Sequence, residues 1–351
     1  MTDEHPTIRI DGRTIGGGRR PFVVAEAGTN FRADVVLGKR FVEEAAEAGA
    51  DAIKFQTLDA DRDMARDEME RIGKGELYGN IQANALSRSD HRELKDHCED
   101  HDITFLSTPF SAESVEVLEE IDVPAIKIGS GELTDFHILK TAADTGKPLI
   151  VSTGMADEET VARTCNFLDE RDVTYALLYC VSLYPTQPSE YNFGAMDRLR
   201  QRHDVPVGFS DHAAGTEMAA VAMARGASIV EKHFTLSRRL PGGDQSLSAE
   251  PDELSEIASF ARLSHEASGD AKPVYEGEQE VAEWARHSVV TATDVGSGET
   301  LTEERLTTKR PGTGIPAHRY YDVVGRTVAE DVEEDTVLRE RHLDEDLHGN
   351  V

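Results

Sequence analysis

The chain has 351 residues, of which 38% are hydrophobic, so it can hold one large folded domain and a smaller one. Its 67 acidic residues against 37 basic residues give a net charge of −30, which argues against nucleic acids and anionic membranes as partners. We find no signal-peptide pattern, no apolar run of membrane-spanning length and no CxxC spacing among the three cysteines, so we expect a reduced, cytoplasmic protein. The acidic surface, in which Arg outnumbers Lys, suggests adaptation to high salt.

Between residues 22 and 268, short apolar or β-branched runs alternate with longer stretches of helical period. The predicted strands are Phe22–Ala27, Asp51–Gln56, Ile103–Thr108, Ala125–Ile128, Pro148–Ser152, Tyr175–Val181, Pro206–Ser210 and Ser228–Phe234. The predicted helices between them include Val35–Ala48, Ser89–Asp100, Glu113–Ile121, Thr134–Ala143, Glu158–Glu170, Thr216–Arg225 and Asp252–Ala267. Eight strands in this alternation predict an α/β fold, a (β/α)8 TIM barrel. A doubly wound sheet is the alternative, but no GxGxxG motif follows the first strand.

The sequence pattern changes after the barrel region. We predict a barrel domain over residues 1–272, a linker with a short helix over 273–285, and a compact β-rich domain over 286–351. A core as small as that of the last domain is marginal by itself. We therefore expect it to pack against the barrel or against a second subunit.

Polar side chains lie at the end of every predicted strand. They are Glu26, Lys54, Gln56, Ser107, Thr108, Lys127, Ser130, Glu132, Ser152, Ser182, Tyr184, Ser210, Asp211, His212, Glu231, Lys232 and His233. The carboxyl ends of barrel strands meet at one face, where barrel enzymes carry out their chemistry. The pattern therefore indicates one shared active site rather than a purely structural barrel.

Lys54 and Lys127 lie on strands of buried type, where a lysine is costly unless it meets an anion. Each could pair with a neighbouring carboxylate, or the two could form a clamp for phosphate and carboxylate groups. The hydroxyls that would complete such a clamp are those of Ser107, Thr108, Ser130, Ser152 and Ser210. Glu26 and Glu132 could partner the lysines or act as acid and base, and the sequence leaves both roles open.

His212 and His233 end neighbouring strands of the predicted barrel. Two imidazoles with open positions beside them suit a catalytic divalent cation, whereas a hydrogen-bonded pair without metal is the alternative. Their spacing alone does not decide between these interpretations. Two protein ligands would hold Mn2+, Co2+ or Mg2+ weakly, rather than form a closed zinc site.

Nine segments of the chain resemble the sialic acid synthase family, which includes N-acetylneuraminate synthase and its legionaminate, pseudaminate and spore-coat relatives. Eight lie in the barrel: Ala25–Gly28, Gly49–Thr57, Phe105–Phe110, Lys127–Glu132, Ser152–Met155, Ser182–Pro185, Gly208–His212 and Glu231–Leu236. The ninth, Lys309–Ile315, resembles the signature of the family's C-terminal antifreeze-like (SAF) domain.

This resemblance implies a domain-swapped homodimer in which the C-terminal domain of one subunit covers the barrel mouth of the other. It implies that phosphoenolpyruvate binds to Lys54, Ser107, Thr108, Lys127, Ser130, Ser152 and Ser210. The sugar would contact Gln56, Tyr184, Asp244 and, from the partner subunit, Arg310. His212 and His233 would hold Mn2+ or a similar ion, with Glu26 as acid or base and Glu132 in support.

The implied activity is that of an N-acetylneuraminate synthase or close relative: condensation of phosphoenolpyruvate with an N-acylated hexosamine, such as N-acetylmannosamine, to a nonulosonic acid and phosphate. Legionaminate-type and pseudaminate-type synthases are alternatives, because the chain departs from the family pattern at Asn30–Ala33, Tyr179–Val181 and Pro241–Gln245. A synthase for an aldose phosphate would need another basic cluster, for which only Arg238, Arg239 and Arg310 are available. Intact Lys54, Lys127, His212 and His233 argue against a non-enzymatic carbohydrate-binding module.

Overall fold

The computed structural model describes residues 6–269, 271–345 and 347. It divides the chain into two compact units, Met1–Ser268 and Gly269–Val351. The predicted domain limits at residues 272, 285 and 286 stay predictions, and the outermost ends of the two predicted domains lie outside the described residues.

The described residues of the first unit contain ten strands, of which eight form one parallel sheet. The strands are β1 (Thr7–Ile10), β2 (Arg13–Gly16), β3 (Phe22–Gly28), β4 (Ala52–Thr57), β5 (Thr104–Pro109), β6 (Ile126–Ile128), β7 (Leu149–Ser152), β8 (Tyr175–Cys180), β9 (Val207–Asp211) and β10 (Ile229–His233). β3 to β10 lie next to one another in chain order, and β10 pairs with β3. β5 and β6 lie side by side without a ladder of paired residues, so the barrel is nearly closed. This arrangement confirms the predicted (β/α)8 barrel.

Eleven helices accompany these strands in the part of this unit that the structure describes. They are α1 (Val35–Glu47), α2 (Ala60–Asp63), α3 (Arg66–Arg71), α4 (Gly75–Asn84), α5 (Arg88–Asp100), α6 (Ala112–Glu120), α7 (Phe136–Asp144), α8 (Glu158–Asp169), α9 (Gly194–Arg202), α10 (Glu217–Ala224) and α11 (Pro251–Glu266). The helix starts follow local chemistry: Asp34 caps α1, and Ser87 forms a capping box with Asp90 at α5. None of the described helices has the length and apolar character that a membrane span requires.

Two apolar layers enclose the strands. The outer layer lies between strands and helices, where Phe41 of α1 and Leu94 of α5 pack in the same cluster as Phe55 of β4. The inner layer fills the barrel and includes Ile8 and Ile15 from the hairpin β1–β2, a hairpin that the sequence analysis missed. This hairpin lies at the amino-terminal ends of the strands, leaving their carboxyl ends free to form a site.

The second unit has its own small core. It contains α12 (Glu276–Ala285), the antiparallel strands β11 (Ser288–Thr291) and β12 (Leu306–Lys309), and α13 (Tyr320–Val323). Apolar residues spread along the whole unit form its core, among them Val289, Leu301, Val323 and Leu338. The short strands and many loops agree with the compact domain that the sequence predicted.

Candidate active site

The two predicted clamp lysines lie buried at the carboxyl ends of their strands and differ in their partners. Lys54 Nζ lies 2.5 Å from Glu26 Oε2 and 3.6 Å from Glu231 Oε2. Lys127 Nζ donates to the carbonyl of Ile128 at 2.9 Å and to Ser152 Oγ at 2.6 Å. Across residues 6–269, Lys127 has no carboxylate within 4.0 Å, although only 2% of its surface is exposed. One lysine is thus neutralised within the chain, and the other is available to an anion.

Glu26 and Glu231 are two buried carboxylates that both interact electrostatically with these lysines. Burial raises the pKa of Glu26 from 4.5 to about 7, although Lys54 opposes this shift. Burial acts in the same direction on Glu231, but Lys127 and Lys54 outweigh it and lower the pKa to about 2. Two neighbouring carboxylates with separated pKa values can divide the roles of proton carrier and fixed anion.

Glu231 lines the polar cavity but was not among the site residues predicted from the sequence. It appeared there only as part of the polar end of the last barrel strand. Period-2 alternation on β10 turns Glu231 and His233 to the barrel mouth and Lys232 to the other side, where Lys232 pairs with Asp211 at 2.9 Å. That alternation was the signal that could have identified Glu231.

Four of the predicted hydroxyls face the mouth. Thr108 accepts from Lys54 Nζ at 3.1 Å, and Ser210 donates to Glu231 at 2.9 Å. Ser130 accepts from the backbone N–H of Gly154 at 3.0 Å, and Ser152 holds Lys127. These four side chains line a polar cavity of about 390 Å³ together with both lysines.

Ser107 is placed differently from the other predicted hydroxyls. It lies opposite Phe55 in the β4–β5 register, and Phe55 belongs to the outer apolar layer, so Ser107 points away from the mouth. Its Oγ lies 2.8 Å from Thr57 Oγ1, which lies 3.0 Å from His91 Nε2. Strand alternation therefore corrects the expected direct contact of Ser107 with phosphoenolpyruvate. Its hydroxyl instead lies in hydrogen-bond distance of Thr57, on the side of the strands that faces away from the mouth.

His212 and His233 meet at the mouth with ring centroids 5.5 Å apart. His212 Nδ1 donates to the carbonyl of Val181 at 2.7 Å, which leaves Nε2 with a lone pair toward the cavity. Burial lowers the pKa of His212, and it lowers that of His233 to about 3. The buried Nδ1 of His233 has no hydrogen-bond partner among the described residues. Two neutral imidazoles, one oriented by a backbone carbonyl and one unpartnered, fit a divalent cation.

The predicted sugar contacts surround this pair. Tyr184 stacks on His212 with ring centroids 4.2 Å apart, and Asp244 Oδ2 lies 3.7 Å from His233 Nδ1. Gln56 Nε2 donates to Glu26 Oε1 at 3.3 Å. Gln56 and Asp244 also line a second, larger cavity of about 1080 Å³ that adjoins the first. An acceptor in the larger cavity would therefore reach the polar one.

Glu132 and Arg310 complete the predicted set. Glu132 follows β6 and lines the polar cavity, and burial raises its pKa. Arg310 lies in the second unit, where its Nε donates to the carbonyl of Ala285 at 3.0 Å and its guanidinium lies 5.7 Å from the centre of the Trp284 ring. The contribution of Arg310 to a neighbouring barrel stays a prediction.

Comparison with known proteins agrees with this geometry. The NeuB family model matches residues 41–273, and the SAF domain model matches residues 286–344. The N,N'-diacetyllegionaminic acid synthase of Campylobacter jejuni is 35% identical over 92% of this chain and 100% of its own length. The N-acetylneuraminate-9-phosphate synthase of Homo sapiens is 32% identical over 96% of each chain.

A solved structure gives the same result. The crystal structure of the N-acetylneuraminic acid synthetase of Leptospira borgpetersenii, in complex with citrate, matches with a TM-score of 0.73 and 32% identity. The match covers 81% of this chain and 97% of that one. The resemblance seen in the sequence is thereby confirmed: the chain belongs to the NeuB family of synthases and carries an SAF domain after its barrel.

Proposed function

We propose that this enzyme condenses phosphoenolpyruvate with an N-acylated hexosamine, such as N-acetylmannosamine, consumes one water molecule, and releases a nonulosonic acid and phosphate. The observation that carries this proposal is Lys127, a buried lysine with no carboxylate within 4.0 Å in the described barrel. A buried cation in this condition calls for an anionic ligand. The phosphate and carboxylate of phosphoenolpyruvate supply such charge, in a cavity small enough to hold it.

The polar cavity can bind this anion through fixed donors. Lys127 and Lys54 supply two positive charges, and Ser130, Ser152 and Thr108 supply hydroxyls between them. Phosphoenolpyruvate would compete with Glu26 for Lys54, because Glu26 has the higher pKa of its two carboxylate partners and gives up its negative charge more readily. The binding of phosphoenolpyruvate is therefore coupled to the protonation of Glu26.

His212 and His233 would hold a divalent metal ion, which we propose to be Mn2+, with Mg2+ or Co2+ as substitutes. Such an ion supplies Lewis-acid polarisation of a carbonyl oxygen when bound. The low pKa of both imidazoles keeps their lone pairs available at neutral pH. Tyr184, stacked on His212, fixes that ring and places a hydroxyl 3.3 Å from its Nε2.

Glu26 is the residue that we assign to proton transfer. With a pKa of about 7, it is partly protonated at neutral pH and can donate to the carbonyl oxygen that becomes a hydroxyl on condensation. Glu231 stays ionised and offsets the positive charge that develops at C2 of phosphoenolpyruvate. Glu132, at the edge of the same cavity, supports the site.

The larger cavity favours a neutral sugar over a sugar phosphate. Among the described residues that line it, Arg32 is the one cation, and Asp34 and Asp244 lie in the same wall. A phosphate on the acceptor would add two negative charges without a basic cluster to receive them. Apolar residues such as Leu58 and Leu77 in this wall suit acyl methyl groups. We therefore rank an aldose phosphate or a phosphorylated hexosamine below an unphosphorylated acyl sugar, and the diacylated legionaminate-type precursor remains the second candidate.

We further propose a homodimer in which Arg310 of the partner subunit contacts the sugar, and a cytoplasmic enzyme suited to high salt. The resemblance of Lys309–Ile315 to the family's SAF signature supports the first part, and the net charge of −30 supports the second. The lack of a carboxylate partner on the Arg310 guanidinium, within the part of the chain that the structure describes, leaves this cation available.

A product screen tests the proposal. The purified enzyme would be incubated with phosphoenolpyruvate, Mn2+ and a panel of mono-acylated, diacylated and phosphorylated hexosamines at high salt, with mass spectrometry of the products and a phosphate assay. We expect phosphate release only when both substrates are present, with an unphosphorylated acylated sugar preferred. Phosphate release without an acceptor, or a preference for sugar phosphates, would contradict it.

A further inference from the structure

A second group of metal-binding side chains lies on the outside of the barrel. Glu43 projects from α1, His97 projects from neighbouring α5, and His101, four residues after His97, is the C-terminal cap of α5. One ligand atom from each lies within 4.8 Å of the others. Within residues 6–269, 271–345 and 347, this is the one group of three His, Cys, Asp or Glu side chains that meets this distance.

One distance within the group matches that between two ligands of a metal ion. His97 Nε2 lies 3.3 Å from Glu43 Oε1. Two ligands bound about 2.1 Å from a tetrahedral ion are about 3.4 Å apart, so this pair already has the separation that zinc coordination requires. The ring centroids of His97 and His101 lie 4.3 Å apart, so the two imidazoles are adjacent.

The orientation of His101 is a second and independent observation. Its Nδ1 donates to the backbone carbonyl of His97 at 2.9 Å, which leaves Nε2 free to bind. Metal-binding histidines commonly use their other nitrogen in this way, because a carbonyl acceptor fixes the ring and its tautomer. Arg40 holds the second oxygen of Glu43 at 2.6 Å and orients that carboxylate in the same manner.

The position in the fold separates this group from the barrel mouth. His101 is the C-terminal cap of α5 and lies just before the start of β5, at the end of the barrel opposite the polar cavity. The negative end of the α5 dipole favours a cation there. Residues at this face of a barrel serve stability rather than chemistry.

We propose that Glu43, His97 and His101 form a binding site for a divalent transition-metal ion of the zinc type, which links α1 to α5. Imidazole and carboxylate ligands suit Zn2+, Co2+ and Ni2+ better than Mg2+ or Ca2+. Three protein ligands leave one position for water, so the ion is exchangeable. The site stabilises the barrel and takes no part in the condensation.

Metal titration of the full-length enzyme tests this site. The protein would be freed of metal by chelation and titrated with Co2+, followed by its visible absorption, and with Zn2+, followed by calorimetry. The variants are His97→Gln, His101→Gln and a double variant, His212→Gln with His233→Gln, that removes the mouth histidines. His265→Gln, which changes an exposed histidine on α11, is the matched control.

We expect the double variant to keep one ion at micromolar free metal, with a tetrahedral Co2+ spectrum and a melting temperature that rises with Zn2+. His97→Gln and His101→Gln should each lower the affinity for the ion bound by Glu43, His97 and His101 at least tenfold. Their condensation activity should stay at the level of His265→Gln. A double variant that binds no ion, or His97→Gln and His101→Gln that titrate like the unaltered enzyme, would overturn the proposal.

Discussion

Replacing Lys127 by methionine should strongly weaken phosphoenolpyruvate binding and leave the fold as stable as before, or more stable. The pKa of Lys127 is lowered because burial outweighs the attraction of Glu231, so the folded protein disfavours its charge. Methionine fills similar space without that charge, and we expect a change from neutral to about 2 kcal/mol stabilising. Loss of a buried charge partner should weaken phosphoenolpyruvate about 30-fold or more.

Lys232 is the matched comparison, because it is as deeply buried but paired. Its Nζ lies 2.9 Å from Asp211 Oδ2, and Asp211 has no surface exposure. Lys232→Met would leave that carboxylate buried without its cation, at a cost of about 3–5 kcal/mol. For a domain of this size, such a loss lowers the melting temperature on the order of 10 °C.

The assay is thermal unfolding of both variants in the same high-salt buffer, with and without phosphoenolpyruvate, together with calorimetric binding. Phosphoenolpyruvate should raise the melting temperature of the unaltered enzyme and leave that of Lys127→Met unchanged. The assignment of Lys127 as an unpaired cation that binds phosphoenolpyruvate would be refuted if Lys127→Met destabilised the protein as much as Lys232→Met. It would also be refuted if Lys127→Met bound phosphoenolpyruvate with unaltered affinity.

Four further changes address the remaining assignments. Since burial raises the pKa of Glu26 to about 7, activity should fall as pH rises through that value. Glu26→Gln should lose this limb of the pH–rate profile. An unaltered limb in that variant would contradict the assignment of Glu26 to proton transfer. Ionising Glu26 opposes folding above its unfolded value of 4.5, so Glu26→Gln should stabilise the protein more at alkaline than at acidic pH, as measured by thermal unfolding. His212→Ala or His233→Ala should abolish activity, and chelation should do so reversibly; full activity in metal-free enzyme would exclude the metal. Arg310→Ala should raise the KM for the sugar more than that for phosphoenolpyruvate, and the reverse would contradict its role. Ser107→Ala should change the KM for phosphoenolpyruvate less than twofold but lower the free energy of unfolding by about 1–3 kcal/mol, as denaturant titration would show.

The helices and hairpin that the sequence analysis missed have a common physical cause. α9 buries only Met196 and Leu199, has no side-chain cap and begins with Gly194, so its periodicity is weak. α4 buries one side chain, and α3 buries none. Such short segments are helical because the loops around them fix their ends, which a sequence window does not contain. The hairpin β1–β2 is stabilised by the barrel interior that it covers.

The sequence by itself determined the barrel, because strand and helix periods are local properties, and it determined the family, because matching segments recur in order along the chain. It also identified most of the polar residues that come together at the barrel mouth, since parallel strands bring their carboxyl ends to one face whatever their exact register. Tertiary structure decided which side chains of those ends face one another. Register turns Thr108 to the mouth and Ser107 to the helices.

Only the folded arrangement could decide the charges of the site. Lys54 and Lys127 are equivalent in sequence, but three-dimensional packing gives Lys54 two carboxylates and gives Lys127 none within 4.0 Å in the described barrel. The same packing raises the pKa of Glu26 and lowers that of Glu231, because burial and the distance to each lysine set the free-energy cost of ionisation. Periodicity identifies the residues that can reach the barrel mouth. The distances between their buried charged groups determine which carboxylate has the raised pKa.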